Sequence, residues 1–249
     1  MTRIILCGCF GKMGRVITQL VSQRSDCEIV AGVDLCAGTA EFPIYTKIDA
    51  VSEAADVIID FTSPDLLTDI LGYSAEHGGI PAILCTTGYS AEQVAALKAA
   101  SASQPIFYSR NMSLGINLLI ELSKKAAKVL GDGFDIEIIE KHHNQKVDAP
   151  SGTALMLADA IASVRDTESE YTYDRHAQRK KRETKEIGLH AVRGGTIVGE
   201  HEVIFAGNHE VITLSHSAQS KELFATGAVN AAVYMTGKPA GLYDMSDLI

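Results

Sequence analysis

The groups most able to transfer protons are concentrated in one short stretch near the middle of the chain. Residues 140–153 read EKHHNQKVDAPSGT, with two adjacent histidines and a lysine. Histidine and lysine side chains can donate and accept protons near neutral pH when their surroundings tune them. The stretch therefore indicates acid–base chemistry by His142, His143 and Lys146. The alternative is an ordinary polar loop.

A helix start follows these residues directly. Pro150-Ser151-Gly152-Thr153 has the composition of a helix N-terminus, with Ser151 as the capping residue. The first backbone N–H groups of a helix have no partner within it and attract anions. Together with the Thr153 hydroxyl and the Lys146 ammonium, they indicate a carboxylate site. We therefore expect an anionic substrate, most simply a dicarboxylate.

A glycine-rich loop lies near the start of the chain. Gly8, Gly11 and Gly14 fall between an apolar run at 3–7 and an amphipathic helix pattern. A dinucleotide's pyrophosphate needs such a tight turn, a close backbone approach and a helix N-terminus. Asp34 ends the next strand pattern, where a carboxylate can accept hydrogen bonds from the adenosine ribose. We expect a nicotinamide dinucleotide here, although a plain strand-to-helix turn remains the alternative.

The residues around Asp34 bear on which cofactor is used. Leu35, Cys36 and Ala37 follow it, with no Arg or Lys among them. A 2′-phosphate would gain from a cation there and would be repelled by the carboxylate. We predict that NADH is at least as good a donor as NADPH. Lys12 could still reach a phosphate.

The first half of the chain alternates between strand and helix patterns. The predicted strands are 3–7, 28–34, 57–61, 82–85 and 105–108, and the helices begin after 12, at Ser63-Pro64 and near 91. Such alternation gives right-handed crossovers and a mostly parallel sheet. The fold class predicted for this half is α/β, a Rossmann-type doubly wound parallel sheet.

The pattern changes after about residue 112. The predictions are a helix at 115–129, a strand at 134–141, a helix after Ser151, a polar stretch at 165–186, strands near 196–205 and 209–216, and a helix at 221–236. The last two strands flank Gly207-Asn208, a hairpin signal. We expect a smaller α+β domain with a mixed sheet.

Composition excludes several other classes of protein. The chain has 249 residues, 22 Lys and Arg, 31 Asp and Glu, and a formal net charge of −9, which argues against a nucleic-acid-binding surface. No apolar run reaches the roughly 18 residues that span a bilayer, and none resembles a signal peptide. The odd count of 5 Cys fits neither a disulfide framework nor a zinc site. We expect a cytoplasmic enzyme without a metal, and a solvated loop at the basic stretch 175–185.

Several of these motifs together resemble the dihydrodipicolinate reductase family. The stretch at 140–154 is similar to the family signature E-x-H-H-x-x-K-x-D-A-P-S-G-T-A, unbroken from Lys146 to Ala154. The glycine loop, the Thr86-Thr87-Gly88 turn, the segment 113–117 and the segment 188–203 resemble further parts of the family. The resemblance covers most of the chain.

The resemblance implies a reaction and roles for residues. It implies NAD(P)H-dependent reduction of dihydrodipicolinate, or its hydroxylated form 4-hydroxy-tetrahydrodipicolinate, to tetrahydrodipicolinate in the diaminopimelate route to lysine. By resemblance His142 is the proton donor and Lys146 assists. His143, Ser151, Gly152 and Thr153 would contact the carboxylates of this small cyclic substrate. A homotetramer is also implied.

The implied cofactor residues lie in four short segments. They are Gly8, Cys9, Phe10, Gly11, Lys12 and Met13; Asp34; Cys85, Thr86 and Thr87; and Ser109, Arg110, Asn111 and Met112. Two departures from the family pattern stand out. Cys85 replaces a glycine, where contact would be through backbone, and Arg110 adds a charge without an assigned role.

We therefore predict a dinucleotide-binding domain at 1–113 and 217–249, with a substrate-binding and oligomerisation domain at 114–216. Two other functions remain open at this point. One is another nicotinamide-dependent dicarboxylate or imine reductase of the aspartate pathway. The other is a nucleotide-sensing regulatory protein, for which a proton donor such as His142 would have no use.

Overall fold

The structure is a computed structural model that describes residues 1–36, 38–177 and 179–249. It divides into two compact units, Met1–Leu114 with Glu222–Ile249, and Gly115–Lys221. Ala37, one of the three residues weighed for cofactor preference, and Gln178, within the basic stretch 175–185, lie outside the described residues.

The chain forms strands and helices in the following order. The strands are β1 (Thr2–Cys7), β2 (Cys27–Val33), β3 (Ile44–Tyr45), β4 (Val57–Asp60), β5 (Ala82–Leu84), β6 (Pro105–Tyr108), β7 (Asp135–His142), β8 (Glu170–Thr172), β9 (Glu186–Arg193), β10 (Gly199–Ala206), β11 (Val211–Ala218) and β12 (Gly241–Tyr243). The α-helices are α1 (Lys12–Val21), α2 (Leu67–Glu76), α3 (Ala91–Ala100), α4 (Leu114–Leu130), α5 (Gly152–Ala162) and α6 (Glu222–Met235). Short 3₁₀ helices are found at Ile48–Ala50, Pro64–Leu66, Gly131–Gly133 and Met245–Leu248.

The first unit is built on a parallel sheet whose order is β12-β6-β5-β4-β1-β2-β3. The side chains of β1 alternate between two apolar clusters, with Ile4 and Leu6 on one face and Ile5 on the other. A strand covered on both faces needs this continuous apolar run, because neither face meets water. The direction of winding reverses between β1 and β4, and ligands bind at such a switch point in open α/β sheets. The predicted Rossmann-type fold is confirmed.

The first unit differs from the prediction in three places. Ser63 makes no capping hydrogen bond through its side chain, and Pro64 opens a 3₁₀ turn, so α2 begins only at Leu67. The strands β3 and β12 were not predicted, because two or three residues carry too little pattern. Strand β12 extends the sheet beyond β6 after the last helix.

The second unit is a mixed sheet of order β11-β10-β7-β9-β8. Strand β7 pairs antiparallel with β10 and parallel with β9. Residues of α4 and α5, among them Leu119 and Leu157, pack on Ile138 of β7 and Phe205 of β10. The predicted mixed sheet is confirmed. Strand β8, inside the stretch predicted to be polar, was missed, and β9 directly after it was indicated only by the resemblance of residues 188–195 to late strands of the family.

The hairpin at residues 207–210 differs from its prediction in the turn. Four residues, rather than Gly207-Asn208 alone, connect β10 to β11. The Gly207 amide donates to the Glu210 carbonyl at 2.9 Å, which closes the turn. The left-handed residue is His209, with φ of 68°.

The basic stretch 175–185 is tied down by carboxylates of its own unit. Arg175 bonds Glu137 and Glu186, and Arg182 bonds Glu137 and Asp135, with the Arg182 Nη1 to Asp135 Oδ1 distance at 2.7 Å. The expectation of a purely solvated loop is therefore wrong for these two arginines, because both form ion pairs with carboxylates of the same unit. Among the helices that the structure describes, none has both the length and the apolar character that crossing a membrane requires.

Candidate functional site

The glycine loop of the first unit follows β1 and leads into α1. Gly8 has φ of 81°, and a Cβ added there would lie 2.6 Å from the Phe61 carbonyl oxygen. A Cβ on Gly14 would lie 2.1 Å from the Gly8 carbonyl oxygen. Both positions therefore exclude any larger residue as long as the backbone keeps this course. The result is a tight turn with the start of α1 directly behind it, as a pyrophosphate requires.

Asp34 ties this loop to the end of β2. Its carboxylate oxygens accept hydrogen bonds from the Phe10 amide at 2.8 Å and the Cys36 amide at 2.9 Å. Each carboxylate oxygen has a second lone pair. Asp34 can therefore hold the loop and still accept a hydroxyl hydrogen, and its contact with a ribose stays a prediction.

A cavity of about 560 Å³ opens beside this loop. Its lining includes four of the predicted cofactor residues and four that the sequence did not single out. They are Gly8, Phe10, Gly11 and Asp34, and Thr46, Lys47, Phe61 and Thr62. The volume lies in the range of small-molecule sites, roughly 300–1,000 Å³. A larger cavity of about 910 Å³ runs along α1 and β2, but neither Gly8 nor Asp34 lines it.

Lys47 matters for the choice between NADH and NADPH. It lines the same cavity as Asp34, although it lies just after the short strand β3, 13 positions later in the chain. Leu35 and Cys36 are therefore not the whole surroundings of Asp34, because Lys47 adds a cation to the same cavity. The preference for NADH stays a prediction.

The other predicted cofactor residues follow parallel strands of the same sheet, and their side chains differ in access. Cys9 and Met112 are buried in the core, so a cofactor could meet them only through backbone or from a changed position. Lys12, Thr87 and Arg110 are exposed, and Met13 is half-buried. The Ser109 hydroxyl donates to the Asn111 carbonyl at 3.0 Å, and the Asn111 side chain accepts from the Ser113 amide. These bonds shape the turn after β6.

A buried carboxylate stands at the end of β4, where the sequence analysis named no site residue. Asp60 is fully buried and accepts hydrogen bonds from Thr62, Thr86 and Tyr89, with the Thr86 Oγ1 to Asp60 Oδ2 distance at 2.7 Å. Burial raises its pKa, and the hydrogen bonds counteract this only in part. Cys85, which precedes Thr86, is likewise buried, and burial raises the pKa of its thiol. Asp60 thus fixes Thr62 and Thr86 at neighbouring strand ends.

In the second unit the acid–base residues gather at the end of β7. Glu140 and His142 are two positions apart on the strand, so their side chains lie on the same face. His142 Nδ1 is 2.6 Å from Glu140 Oε2. Both residues are buried, with only 11% of the His142 side chain exposed.

Glu140 is held ionised by its other partners. Arg193 of β9 donates from Nη1 and Nη2 to the two carboxylate oxygens at 2.8 and 2.7 Å, and the Ser151 amide donates to Oε1 at 3.0 Å. Burial alone would raise the pKa of Glu140, but these bonds and the one from His142 outweigh it, and the pKa is lowered. An ionised carboxylate only accepts hydrogen bonds, so His142 carries a proton on Nδ1.

One further histidine, a lysine and an arginine lie around His142. Burial lowers the pKa of His142, the bond to Glu140 counteracts this, and the charges of Lys146 and Arg193 lower it further. The His201 ring on β10 stands edge-on to it at 5.2 Å between centroids. Burial lowers the pKa of His201 to about 4, so this ring is neutral at pH 7. Its Nε2 is 3.0 Å from the Ser151 hydroxyl.

The helix start at Ser151 forms as predicted, with one difference. Ser151 caps α5 by accepting a hydrogen bond from the Ala154 amide at 3.2 Å. However, the Asp148 carboxylate pairs with Lys146 at 2.8 Å, and this contact lowers the pKa of Asp148. A substrate carboxylate would therefore compete with Asp148 for Lys146.

The remaining predicted substrate residues lie beside this group. Thr153 is in the first turn of α5. His143 directly follows β7, is half-buried, and has a buried Nδ1 without a hydrogen-bond partner among the described residues. Within the described ranges, no three His, Cys, Asp or Glu side chains gather as metal ligands would.

The structure adds side chains to this site that sequence reasoning did not use. Arg193 lies opposite His142 in the β7–β9 register, and His201 lies opposite Glu140 in the β7–β10 register. Both lie in the late segment that carried the family resemblance. Local spacing could not connect them to residues about 50 positions earlier, because strand register is set by the whole sheet.

Comparison with known proteins gives matches along the whole chain. The family model described as dihydrodipicolinate reductase, N-terminus, matches residues 2–112, and the one described as dihydrodipicolinate reductase, C-terminus, matches residues 115–249. Among curated proteins, the 4-hydroxy-tetrahydrodipicolinate reductase of Caldanaerobacter subterraneus subsp. tengcongensis is 53% identical, over 100% of this chain and 98% of its own. The protein of the same name from Clostridium novyi is 50% identical, with the same coverage.

Solved structures agree at the level of the fold. A dipicolinate-bound dihydrodipicolinate reductase from a Paenisporosarcina species aligns with a TM-score of 0.83 over 100% of both chains, at 24% identity. A diaminopimelate dehydrogenase (DAP dehydrogenase) from C. glutamicum aligns with a TM-score of 0.55 over 98% of this chain and 92% of its own, at 13% identity.

Proposed function

The chain belongs to the dihydrodipicolinate reductase family, and we propose that it reduces 4-hydroxy-tetrahydrodipicolinate to tetrahydrodipicolinate with NADH or NADPH. The step would belong to the diaminopimelate route to lysine. The observation that carries the proposal is the buried Glu140–His142 pair, beside Lys146 and the start of α5. It supplies an acid next to groups that bind anions.

The first unit is suited to a reduced nicotinamide dinucleotide. The glycine turn at Gly8 is tight enough to bring backbone close to a pyrophosphate at the start of α1, and Asp34 offers a carboxylate for the adenosine ribose. The segments at 85–87 and 109–112 follow neighbouring strands of the same sheet. When bound, the reduced nicotinamide supplies a hydride from its C4.

The second unit is suited to the substrate and to the proton. Lys146 and the helix start at Gly152 and Thr153 would bind the carboxylates, together with His143. His142 Nδ1 is occupied by Glu140, so its Nε2 is the nitrogen left to donate. The substrate's negative charges would raise the pKa of His142, which burial holds low, and so favour its protonated form.

The roles of His142 and Lys146 follow from the charge that the reaction creates. Hydride addition places negative charge on the conjugated ring. The Lys146 ammonium would stabilise this charge, and the His142 proton would remove it. Loss of the 4-hydroxyl group as water gives the conjugated dihydrodipicolinate ring. Hydride and proton together then complete a two-electron reduction, so no further reductant is needed.

The decisive experiment follows the oxidation of NADH and NADPH by absorbance, with substrate generated in situ by the preceding synthase. We expect turnover with both cofactors, and NADH at least as effective as NADPH. A large advantage for NADPH would overturn the predicted preference alone. Turnover only on another imine of the aspartate pathway would replace the substrate, and cofactor binding without turnover on any dicarboxylate imine would favour a nucleotide sensor.

We further propose a cytoplasmic homotetramer, as the family resemblance implies. The edge strand β11, with Val211 largely exposed, is a surface that another copy could cover. Light scattering of the purified protein tests the oligomeric state. A monomer at assay concentration would contradict it.

A further inference from the structure

We infer that Glu140 and Arg193 are positioning residues that act through His142, holding its imidazole by Nδ1 so that Nε2 delivers the proton. This inference rests on the proposed reductase function, because it assigns the acid of that reaction. Neither the family signature, which includes Glu140, nor the comparisons assign a role to these two residues.

The geometry around the Glu140 carboxylate is the first support. Its two oxygens each receive two hydrogen bonds, Oε1 from Arg193 and the Ser151 amide, and Oε2 from Arg193 and His142. The carboxylate is fully buried. A carboxylate bound in this way by the fork of an arginine cannot rotate away from the imidazole without breaking several bonds at once.

The surroundings of Nε2 are the second support. Position 199 on β10 is glycine, and a Cβ there would stand 3.0 Å from His142 Nε2. The absence of a side chain keeps space beside this nitrogen. Nε2 has no hydrogen-bond partner within the described chain, whereas Nδ1 has one of 2.6 Å. The ring thus has one nitrogen held and one available.

The charges explain why two residues are needed rather than one. Glu140 favours the imidazolium form of His142, which is the form that can donate from Nε2. Arg193 keeps Glu140 ionised in a buried place, where a lone carboxylate would tend to protonate. The other charged or titratable groups facing the ring are Lys146 and His201.

A purely structural role is the competing explanation, since Glu140 also anchors Ser151 at the start of α5. Glu140→Gln separates the two. Glutamine keeps the volume and can still accept from Arg193 or Ser151, but its amide would donate to Nδ1 and favour the other tautomer. The matched control is Glu121→Gln, which removes the same charge from an exposed ion pair with Lys124 on α4.

We expect Glu140→Gln to lower kcat by about 100-fold or more, the range for an acid–base group, because His142 would then present the wrong tautomer. The Kd of the cofactor should stay unchanged. The alkaline limb of the kcat profile should move to lower pH, because the interaction that favours the protonated ring is lost. In the His142→Gln background, Glu140→Gln should cost nothing more, since it acts through that ring. Glu121→Gln should change none of these quantities.

Arg193→Lys is a second, milder variant in case Glu140→Gln does not fold. It keeps the charge and loses the fork, and we expect about a tenfold lower kcat, again without further loss when His142 is Gln. If the wild-type protein turns over and these variants keep its kcat and pH profile, the inference is overturned while the reductase function stands. Additive losses with His142→Gln overturn it as well.

Failure of the function itself is distinguished by a measurement that needs no turnover. In ¹⁵N-labelled protein, the imidazole signals that disappear in His142→Gln are those of His142. We expect Nδ1 protonated in the neutral ring and a changed tautomer ratio in Glu140→Gln. An unchanged ratio would overturn the inference whether or not the wild-type protein reduces the proposed substrate.

Discussion

The candidate site of the first unit is formed mainly by backbone groups, whereas that of the second unit is formed mainly by side chains. After β1 and β2 the site of the first unit consists of backbone. Gly8 and Gly14 allow its tight turn, and two backbone amides donate hydrogen bonds to Asp34. The end of β7 instead presents the titratable side chains of Glu140 and His142, which are buried among side chains of both neighbouring strands.

The two sites are therefore sensitive to different substitutions. A backbone cradle tolerates changes in the side chains around it but not an added Cβ. A buried network of side chains tolerates added bulk at its rim but not the loss of one charge, because the remaining charge is then unpaired.

The largest effect should come from removing the proposed proton donor or the lysine that stabilises negative charge in the second unit. His142→Gln and Lys146→Ala should each lower kcat by about 100-fold or more, the usual loss for an acid–base group. Cofactor affinity, measured by fluorescence titration, should not change. Lys125→Ala, at an exposed position of α4, is the control for Lys146. A kcat near that of the wild type in either variant would remove that residue from the mechanism.

The second effect should come from adding one methyl group to the first unit. Gly8→Ala should weaken NADH binding by about 2 kcal/mol, roughly 30-fold, because the left-handed backbone and the Phe61 carbonyl both oppose a Cβ. Gly72→Ala on α2, where a Cβ meets nothing within 4 Å, is the control. Equal affinities for the two variants would mean that the Gly8 turn does not shape the cofactor site.

The third effect is a pH dependence of stability specific to the second unit. His201 has a folded pKa of about 4, so between that value and its unfolded value of roughly 6.5 only the unfolded chain binds the proton. The free energy of unfolding should therefore decrease as the pH is lowered, and this group should contribute a loss of about 2 kcal/mol between pH 7 and pH 5.

Urea unfolding of the wild type and of His201→Gln at both pH values isolates this contribution. The variant should be less sensitive to pH by that amount, whatever its stability at pH 7. Identical pH dependence in the two proteins would show that His201 is not held neutral by the network.

The smallest effect concerns a charged side chain of the first unit. Lys47→Ala should raise the KM for NADPH about three- to tenfold, near 1 kcal/mol, and leave the KM for NADH unchanged, if the ammonium meets a 2′-phosphate. Lys98→Ala on α3 serves as the control. Parallel changes for both cofactors would show that Lys47 acts on the shared part of the dinucleotide or on the fold.

The comparison also explains what could be predicted from the sequence. The glycine loop and Asp34 were accessible because the carboxyl ends of parallel strands meet at one edge, so local patterns suffice to bring them together. The stretch 140–153 was accessible because its residues are contiguous. Both depend on signals within about 30 positions of the chain.

The parts that escaped prediction depend on distant pairing. Arg193 meets Glu140 only through the parallel register of β7 and β9, across 53 positions. Lys47 reaches the cavity through the two-residue strand β3, which has no readable pattern. The pairing of Asp148 with Lys146 escaped prediction for a different reason. A local helix signal indicates that an anion site exists but does not tell which anion occupies it.

The place of β7 between β9 and β10 has a consequence for how the site comes into being. Both neighbours are made after β7, so a nascent chain that ends at α5 already contains residues 140–153 in full. It lacks Arg193 and His201. Pairing β7 with strands that come so much later in the chain is slow compared with the formation of local structure. On the ribosome, the proton donor would therefore exist well before the side chains that restrain it, and its acidity would be set only when the sheet closes around it.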